Sequence, residues 1–500
     1  MIIQRKASTA VSLAGLFFAN ILLSQQSVAK AENNTPNILL IMADDFGAGS
    51  INAYGAPENL VRTPHLNRLA EEGMRFTQAN VPASVCSPTR YAMLTGRYAW
   101  RGAFPYGVHN PFEPASIPAG TPTVASLLQS AGYRTASFGK WHLGYGTPDQ
   151  GQSRVDFTKR LNPSPNDIGF DYHFGIPQNL DDGLRVWIEN DGIYGLRSDK
   201  TSSYCRSFYG GQYTGFDAPQ RSRERAMEDV TDRAIEWIRA DCRKKSAKPF
   251  FLYFAAPAVH HPIVPSEFMR GASGCGAYGD FIQDVDLAVG RLIETLAYEG
   301  ILDDTLVIFT ADNGGDLPRD ENKPERQARA AGLKANGPLR GDKHTIYEGG
   351  LRVPLIARWP EKVKAGSVSD HTVNLVDFYA TVAEAVGRLP LSRDEAPDSI
   401  SFWPALLGEP IPERKPMVCN NVAGVLSVRK GGWKYIEGKL PDAIPQGHGL
   451  RKRWKGMAKP ALYNLEEDPY EQKNVLSEYP EKAKTLQRVL DQYRDTGRSR

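Results

Sequence analysis

The chain is 500 residues long, with 41% hydrophobic and 23% charged side chains. That make-up fits a folded globular protein of about three domains at ~150 residues each, or one large α/β fold. Sixty Lys+Arg against 57 Asp+Glu leave a formal net charge of +3, which excludes a dedicated nucleic-acid binder and an acidic disordered tail, while five cysteines are too sparse for a disulfide scaffold.

The first predicted element is a leader. Arg5 and Lys6 precede a 14-residue, mostly apolar stretch (10–23), and Ala29-Lys30-Ala31 offers a small-x-small cleavage site. Together they predict a secretory signal peptide over 1–31. The rival reading is a membrane anchor, but the run falls short of the ~20 residues that span a bilayer, and no later run is long and apolar enough. An exported chain, periplasmic or secreted and without an anchor, is expected. An oxidising compartment would allow Cys205, Cys242, Cys275 and Cys419 to pair.

Short apolar runs then alternate with helical patterns, as in βα units around a mostly parallel, buried sheet. Strands are predicted at 37–42, 134–138, 250–255 and 306–310. A helix is predicted over 63–73, with Thr63 as N-cap, Pro64 in the first turn and Gly73 past its end; others fall near 231–239 and 281–296. Residues 145–225 read as long loops. Beyond about 410, a Pro-rich stretch leads to strand-like runs at 424–428 and 433–436 and a charged helix at 479–493. The expected architecture is α/β: a large central sheet flanked by helices over 32–410, then a smaller C-terminal α+β subdomain over 411–500.

Chemistry-bearing residues gather after predicted strands. The first runs into Asp44 and Asp45, and that at 306–310 into Asp312-Asn313-Gly314. Ligands in open α/β sheets bind beyond the carboxyl ends of strands, and an all-oxygen set suits a hard divalent cation such as Ca²⁺ or Mg²⁺. Two other strands lead to Lys140 and His142, and to His260 and His261; Lys343 follows the Asp312 strand at loop distance. Such a set describes a metal-assisted site for a negatively charged substrate. The sharpest feature is Cys86-Ser-Pro-Thr-Arg90, then Leu94-Thr-Gly-Arg97. Pro88 suits a helix's first turn and Gly96 its end, which puts Cys86 at a helix N-terminus that favours anions and thiolates. A cysteine phosphatase would carry arginine six residues after the nucleophile, where this chain has Ala92.

The signature Cys86-x-Pro-x-Arg90 with Thr95-Gly96-Arg97 resembles that of the type I, formylglycine-dependent sulfatases, arylsulfatase-like members of the alkaline phosphatase superfamily. Further blocks follow in family order over roughly 35–475: Ala43-Asp44-Asp45, Gly139-Lys140-Trp141-His142, Gly276 to Asp280, Thr310 to Gly314, Lys343 with Glu348-Gly349-Gly350, and Leu462 to Pro469. One departure is Val259-His260-His261-Pro262, where relatives commonly read Pro-His-x-Pro; spacing to Pro262 assigns the family histidine to His260.

The resemblance implies an alkaline phosphatase-like fold and hydrolysis of sulfate esters, releasing sulfate from a carbohydrate such as a glycosaminoglycan or algal galactan. It implies that a maturation enzyme oxidises Cys86 to formylglycine, and that Asp44, Asp45, Asp312, Asn313 and the modified Cys86 hold one divalent cation, usually Ca²⁺. A hydroxyl of the hydrated aldehyde, near Arg90 and Lys140, would attack sulfur. Lys140, His260 and Lys343 would bind the sulfuryl group, His260 would protonate the leaving oxygen, and His142 would deprotonate the second hydroxyl to expel sulfate. The alternatives are a phosphomonoester or phosphonate ester hydrolase of the same superfamily, and a catalytically inactive sugar-binding relative. Loops at 179–182, 187–190 and 204–213 offer aromatic and polar groups for sugar rings.

Overall fold

Apolar runs with no polar alternation demand burial on both faces, and the chain supplies three of them side by side. In the computed structural model, which describes residues 35–206, 212–244, 248–444 and 449–500, the strands β1 (Asn37–Ala43), β2 (Met74–Phe76), β3 (Arg134–Lys140), β4 (Tyr172–Ile176), β5 (Ile188–Glu189), β6 (Gly192–Ile193), β7 (Phe250–Ala255), β8 (Thr305–Ala311), β9 (Leu355–Arg358) and β10 (Ser367–Ser369) form one sheet. Its order is β10-β2-β9-β8-β1-β7-β3-β4-β5-β6. The middle, β8-β1-β7-β3-β4, is parallel throughout, with Leu39 between Leu252 and Val307. Every residue of β7 and β8 is buried. The expected mostly parallel α/β sheet is therefore present, with antiparallel strands at its flanks.

Helices α1 (Pro64–Glu72), α2 (Cys86–Thr95), α3 (Val124–Ser130), α4 (Ala226–Arg243), α5 (Ala277–Tyr298) and α6 (Phe378–Ala385) cover the sheet. They fall into two packed groups: α5 with α1 and α4, and α6 with α2 and α3. Thr63 does precede α1, but its hydroxyl bonds Asn52 and Asn67 instead of capping. The free amides of His65 and Leu66 are taken by the Asp286 carboxylate of α5, at 3.2 and 2.8 Å. A tertiary acid thus does the work of a local cap. Gly73 is extended, not left-handed. Residues 145–225 were expected to be loops, yet they contribute β4, β5 and β6 to the sheet.

Strands β11 (Met417–Asn420), β12 (Leu426–Lys430), β13 (Trp433–Ile436) and β14 (Ala461–Asn464) make a second, antiparallel sheet in that order, against which helix α7 (Pro480–Thr496) packs. A buried ion cluster ties this sheet to the segment after Lys343. Lys434 Nζ lies 2.9 Å from Glu348 and 2.8 Å from Glu471, and Glu471 also accepts the Glu348 amide at 2.7 Å. Cys86, Cys242, Cys275 and Cys419 are free thiols. The predicted leader 1–31 and the Cys205 side chain lie outside the described residues.

Candidate active site

The parallel strands deliver their acids together, as sheet topology requires. Asp44 and Asp45 end β1, and Asp312 and Asn313 end its neighbour β8; all four are buried. Carboxylate oxygens of Asp44, Asp45 and Asp312 and the Cys86 sulfur all lie within 4.8 Å of one another. Asp45 needs a left-handed backbone (φ 57°) to turn into this cluster, and its amide donates to Asp312 at 3.1 Å. Asn313 Nδ2 donates to Asp45 at 2.8 Å, while its buried Oδ1 has no hydrogen-bond partner among the described residues. An orphaned amide oxygen beside three carboxylates fits a hard divalent cation.

Three cations balance the three acids. Lys140, at the end of β3, donates to Asp44 at 2.6 Å and stands 3.5 Å from Cys86 Sγ. Lys343 donates to Asp45 at 2.6 Å. Arg90 lies one turn along α2 from Cys86 and is wholly buried. Its Nε and Nη2 reach Asp312 Oδ2 at 3.0 and 2.7 Å, and its Nη1 reaches the Lys140 carbonyl at 2.9 Å. Arg90 therefore braces a metal-type acid instead of facing an open site. Burial pushes the Asp44 carboxyl up to about 8 against the pull of Lys140. Asp312 is equally buried, but Arg90 and Lys140 hold it below its ordinary value. Gly139, at φ 93°, lets β3 close on β7: a Cβ there would sit 2.0 Å from the Ala255 carbonyl oxygen.

Cys86 opens α2 as expected, with Pro88 in its first turn and Gly96 left-handed at its end (φ 62°). The thiolate expectation fails. Burial and Asp312 push the thiol well above its ordinary value, despite Lys140 and Lys343. Cys86 is 1% exposed, and all ten residues of α2 are buried.

The histidines flank this cluster. His142 Nε2 bonds the His109 carbonyl at 3.0 Å, so Nε2 carries the proton. That leaves Nδ1 as a lone pair, buried and without a partner among the described residues. Burial, then Lys140 and Arg90, hold His142 well below its ordinary value. His260 Nδ1 donates to the His261 carbonyl at 2.6 Å, and Nε2 faces Asp45 at 3.7 Å. It too is kept neutral, by burial and then by Lys343 and Lys140. His261 lies tilted against His260 with ring centroids 4.2 Å apart and stands farther out.

Every sequence-predicted site residue is thus gathered at one end of the sheet. The carbonyl of His109, which sets the His142 tautomer, was missed because a backbone group leaves no residue-type signal. Asn336 was missed too; its amide accepts from Gly315 N at 2.7 Å and donates to Gly315 O at 2.9 Å, bracing the loop after Asn313. The aromatic loop at 187–190 differs from expectation. Trp187 is closed to a sugar ring, stacked on Phe174 at 4.8 Å and covered by Arg221. In the loop at 179–182, Asp182 is paired with Arg221 at 3.2 Å, and the loop at 204–213 lies largely outside the described residues.

Comparison with known proteins bears on what this constellation does. The family profile named Sulfatase matches residues 36–388. The chain is 34% identical over 489 residues to an N-acetylgalactosamine-6-O-sulfatase of Bacteroides thetaiotaomicron, covering 91% of this chain and 92% of that one. It is 33% identical over 462 residues to human arylsulfatase A, covering 88% and 83% respectively. A solved Bacteroides thetaiotaomicron structure from work on the metabolism of multiple glycosaminoglycans superposes with a TM-score of 0.82 at 31% identity, over 93% of this chain and all of that one. The chain therefore belongs to the sulfatase family and is a sulfuric ester hydrolase.

Proposed function

We propose that this enzyme removes the 6-O-sulfate of N-acetylgalactosamine in a glycosaminoglycan, after export from the cytoplasm, using Cys86 oxidised to formylglycine and one divalent cation, Ca²⁺. The observation that carries the reading is the closed shell around Cys86: three acids, an unpartnered amide oxygen, three cations and two neutral imidazoles. The substrate class rests on the relative named for N-acetylgalactosamine 6-sulfate, which matches over nearly the whole chain. Export rests on the predicted leader, and no described helix is long and apolar enough to cross a membrane.

Asp44, Asp45, Asp312, Asn313 and residue 86 would hold the cation. When present, the cation polarises sulfuryl oxygens and the oxidised residue 86 supplies a hydrated-aldehyde hydroxyl as nucleophile. The chain's own groups do the rest. Arg90 keeps Asp312 ionised and aimed. Lys140 and Lys343, buried beside Asp44 and Asp45, neutralise the sulfuryl oxygens where charge develops. His260, which takes up a second proton on Nε2 when the anionic ester binds, gives that proton to the departing sugar oxygen. His142 Nδ1, already deprotonated and fixed by the His109 carbonyl, takes up the proton whose loss lets sulfate leave.

The test is sulfate release from defined sulfated saccharides, including N-acetylgalactosamine 6-sulfate, measured by ion chromatography. Release from that sugar in preference to 4-sulfated and 2-sulfated isomers is expected. Phosphate monoesters or phosphonates turned over in place of every sulfated sugar would overturn the reading.

A further inference from the structure

Two side chains at the mouth of this site have no part in the chemistry above. His344 follows Lys343, and Asp316 follows the Asp312-Asn313-Gly314-Gly315 loop. Both loops are pinned: Lys343 N donates to Gly315 O at 3.1 Å, and His344 N donates to the carbonyl of Ser84, two residues before Cys86, at 2.9 Å. His344 holds a left-handed backbone (φ 73°), a strained state for a residue with a Cβ and one concentrated at functional positions. Its Nδ1 stands 4.0 Å from Asp316 Oδ1, too far for a hydrogen bond, and its side chain is 42% exposed. No described residue hydrogen-bonds the His344 ring. A neutral imidazole offers one donor and one acceptor nitrogen.

We propose that His344 and Asp316 form a hydroxyl-reading pair that grips O4 of the 6-sulfated sugar ring beside the sulfuryl group. A gap of 4.0 Å between an imidazole and a carboxylate is one that a single hydroxyl can bridge, donating to the carboxylate and accepting from the ring N–H. With the sulfuryl group at Lys343 and His260, O4 is the ring hydroxyl nearest C6. In the galacto configuration it lies on the same face of the ring as the C6 branch. The pair therefore selects galacto over gluco sugars. This inference rests on the proposed 6-sulfated hexosamine substrate.

The test compares N-acetylgalactosamine 6-sulfate with its 4-deoxy analogue and with N-acetylglucosamine 6-sulfate. Removing O4 should lower kcat/KM of the unsubstituted enzyme roughly 10- to 100-fold, the range for a hydrogen bond to a charged partner. In His344→Gly, which keeps the left-handed backbone open, and in Asp316→Ala, the two sugars should become nearly equivalent and the galacto preference should collapse. A merely structural role would slow all three substrates alike and leave the ratios unchanged, overturning the inference. An unsubstituted enzyme that desulfates the sugar yet ignores O4 also overturns it. Failure to release sulfate from any of the three would instead sink the substrate reading, and this inference with it.

Discussion

His260 separates proton donation from sulfate binding, because a general acid matters only when the leaving group needs its proton. The ring is fixed through Nδ1 to the His261 carbonyl at 2.6 Å, so Nε2, 3.7 Å from Asp45, is the one nitrogen free to serve. Burial, Lys343 and Lys140 keep the resting imidazole neutral, so the proton it donates has to be taken up from solvent as the negatively charged ester binds. Lys343 is a poor substitute: despite burial, Asp45 holds its proton well above the ordinary lysine range. A sugar alkoxide leaves badly, and His260→Ala should reduce kcat/KM on a sugar sulfate by the ~10²–10⁴-fold of a positioned proton transfer, about 3–5 kcal/mol. Nitrophenolate departs without help, so 4-nitrophenyl sulfate should lose less than roughly tenfold. Lys343→Ala should harm both substrates about equally. Steady-state kinetics on both esters decide it; equal losses for His260→Ala would reassign that residue to sulfate binding.

Asp45→Ala and Asp312→Ala should lose bound metal and turnover together, followed by elemental analysis beside activity; full turnover by metal-free protein would contradict the ligand assignment. Peptide mass spectrometry should find an aldehyde at residue 86 in active preparations, and robust activity from protein carrying only the thiol would refute the modification. His142→Ala should release no more than one equivalent of alcohol per enzyme and then stall, whereas sustained turnover would remove Nδ1 as the base. Lys434→Met leaves Glu348 and Glu471 facing each other in a dry interior and should destabilise the fold by about 3–5 kcal/mol in denaturant unfolding; an unchanged midpoint would mean that the cluster contributes nothing net.

What was readable in advance follows from how local each feature is. β1, β7 and β8 announce themselves as unbroken apolar runs, and their acids stand at the ends where a parallel sheet presents ligands. β4 hid because His173 and Gly175 interrupt its pattern. His173 is tolerated in the core because Ser137 and Tyr145 satisfy both ring nitrogens at 2.7 Å, from strands and loops distant in sequence. Strands β2 and β9, of three and four residues, are too short to carry a period. At the site, residue types at strand ends pointed to the acids and cations that the fold brings together. The tautomer of His142, the bracing of Asp312 by Arg90 and the Asn336 clamp depend on contacts that no local pattern encodes.

The depth of Cys86 imposes an order in time. With 1% of its surface exposed and its whole helix enclosed, the thiol is out of reach of any second protein once α2 has packed. If residue 86 is oxidised as proposed, the enzyme that does it would have to grasp residues 86–97 as extended chain, before the sheet closes over them. Oxidation and folding would then be competitors, with the race run once per molecule. A chain that folds first would keep its thiol sealed inside a native-like fold, so a preparation homogeneous by size and melting behaviour would still hold a fixed inactive fraction.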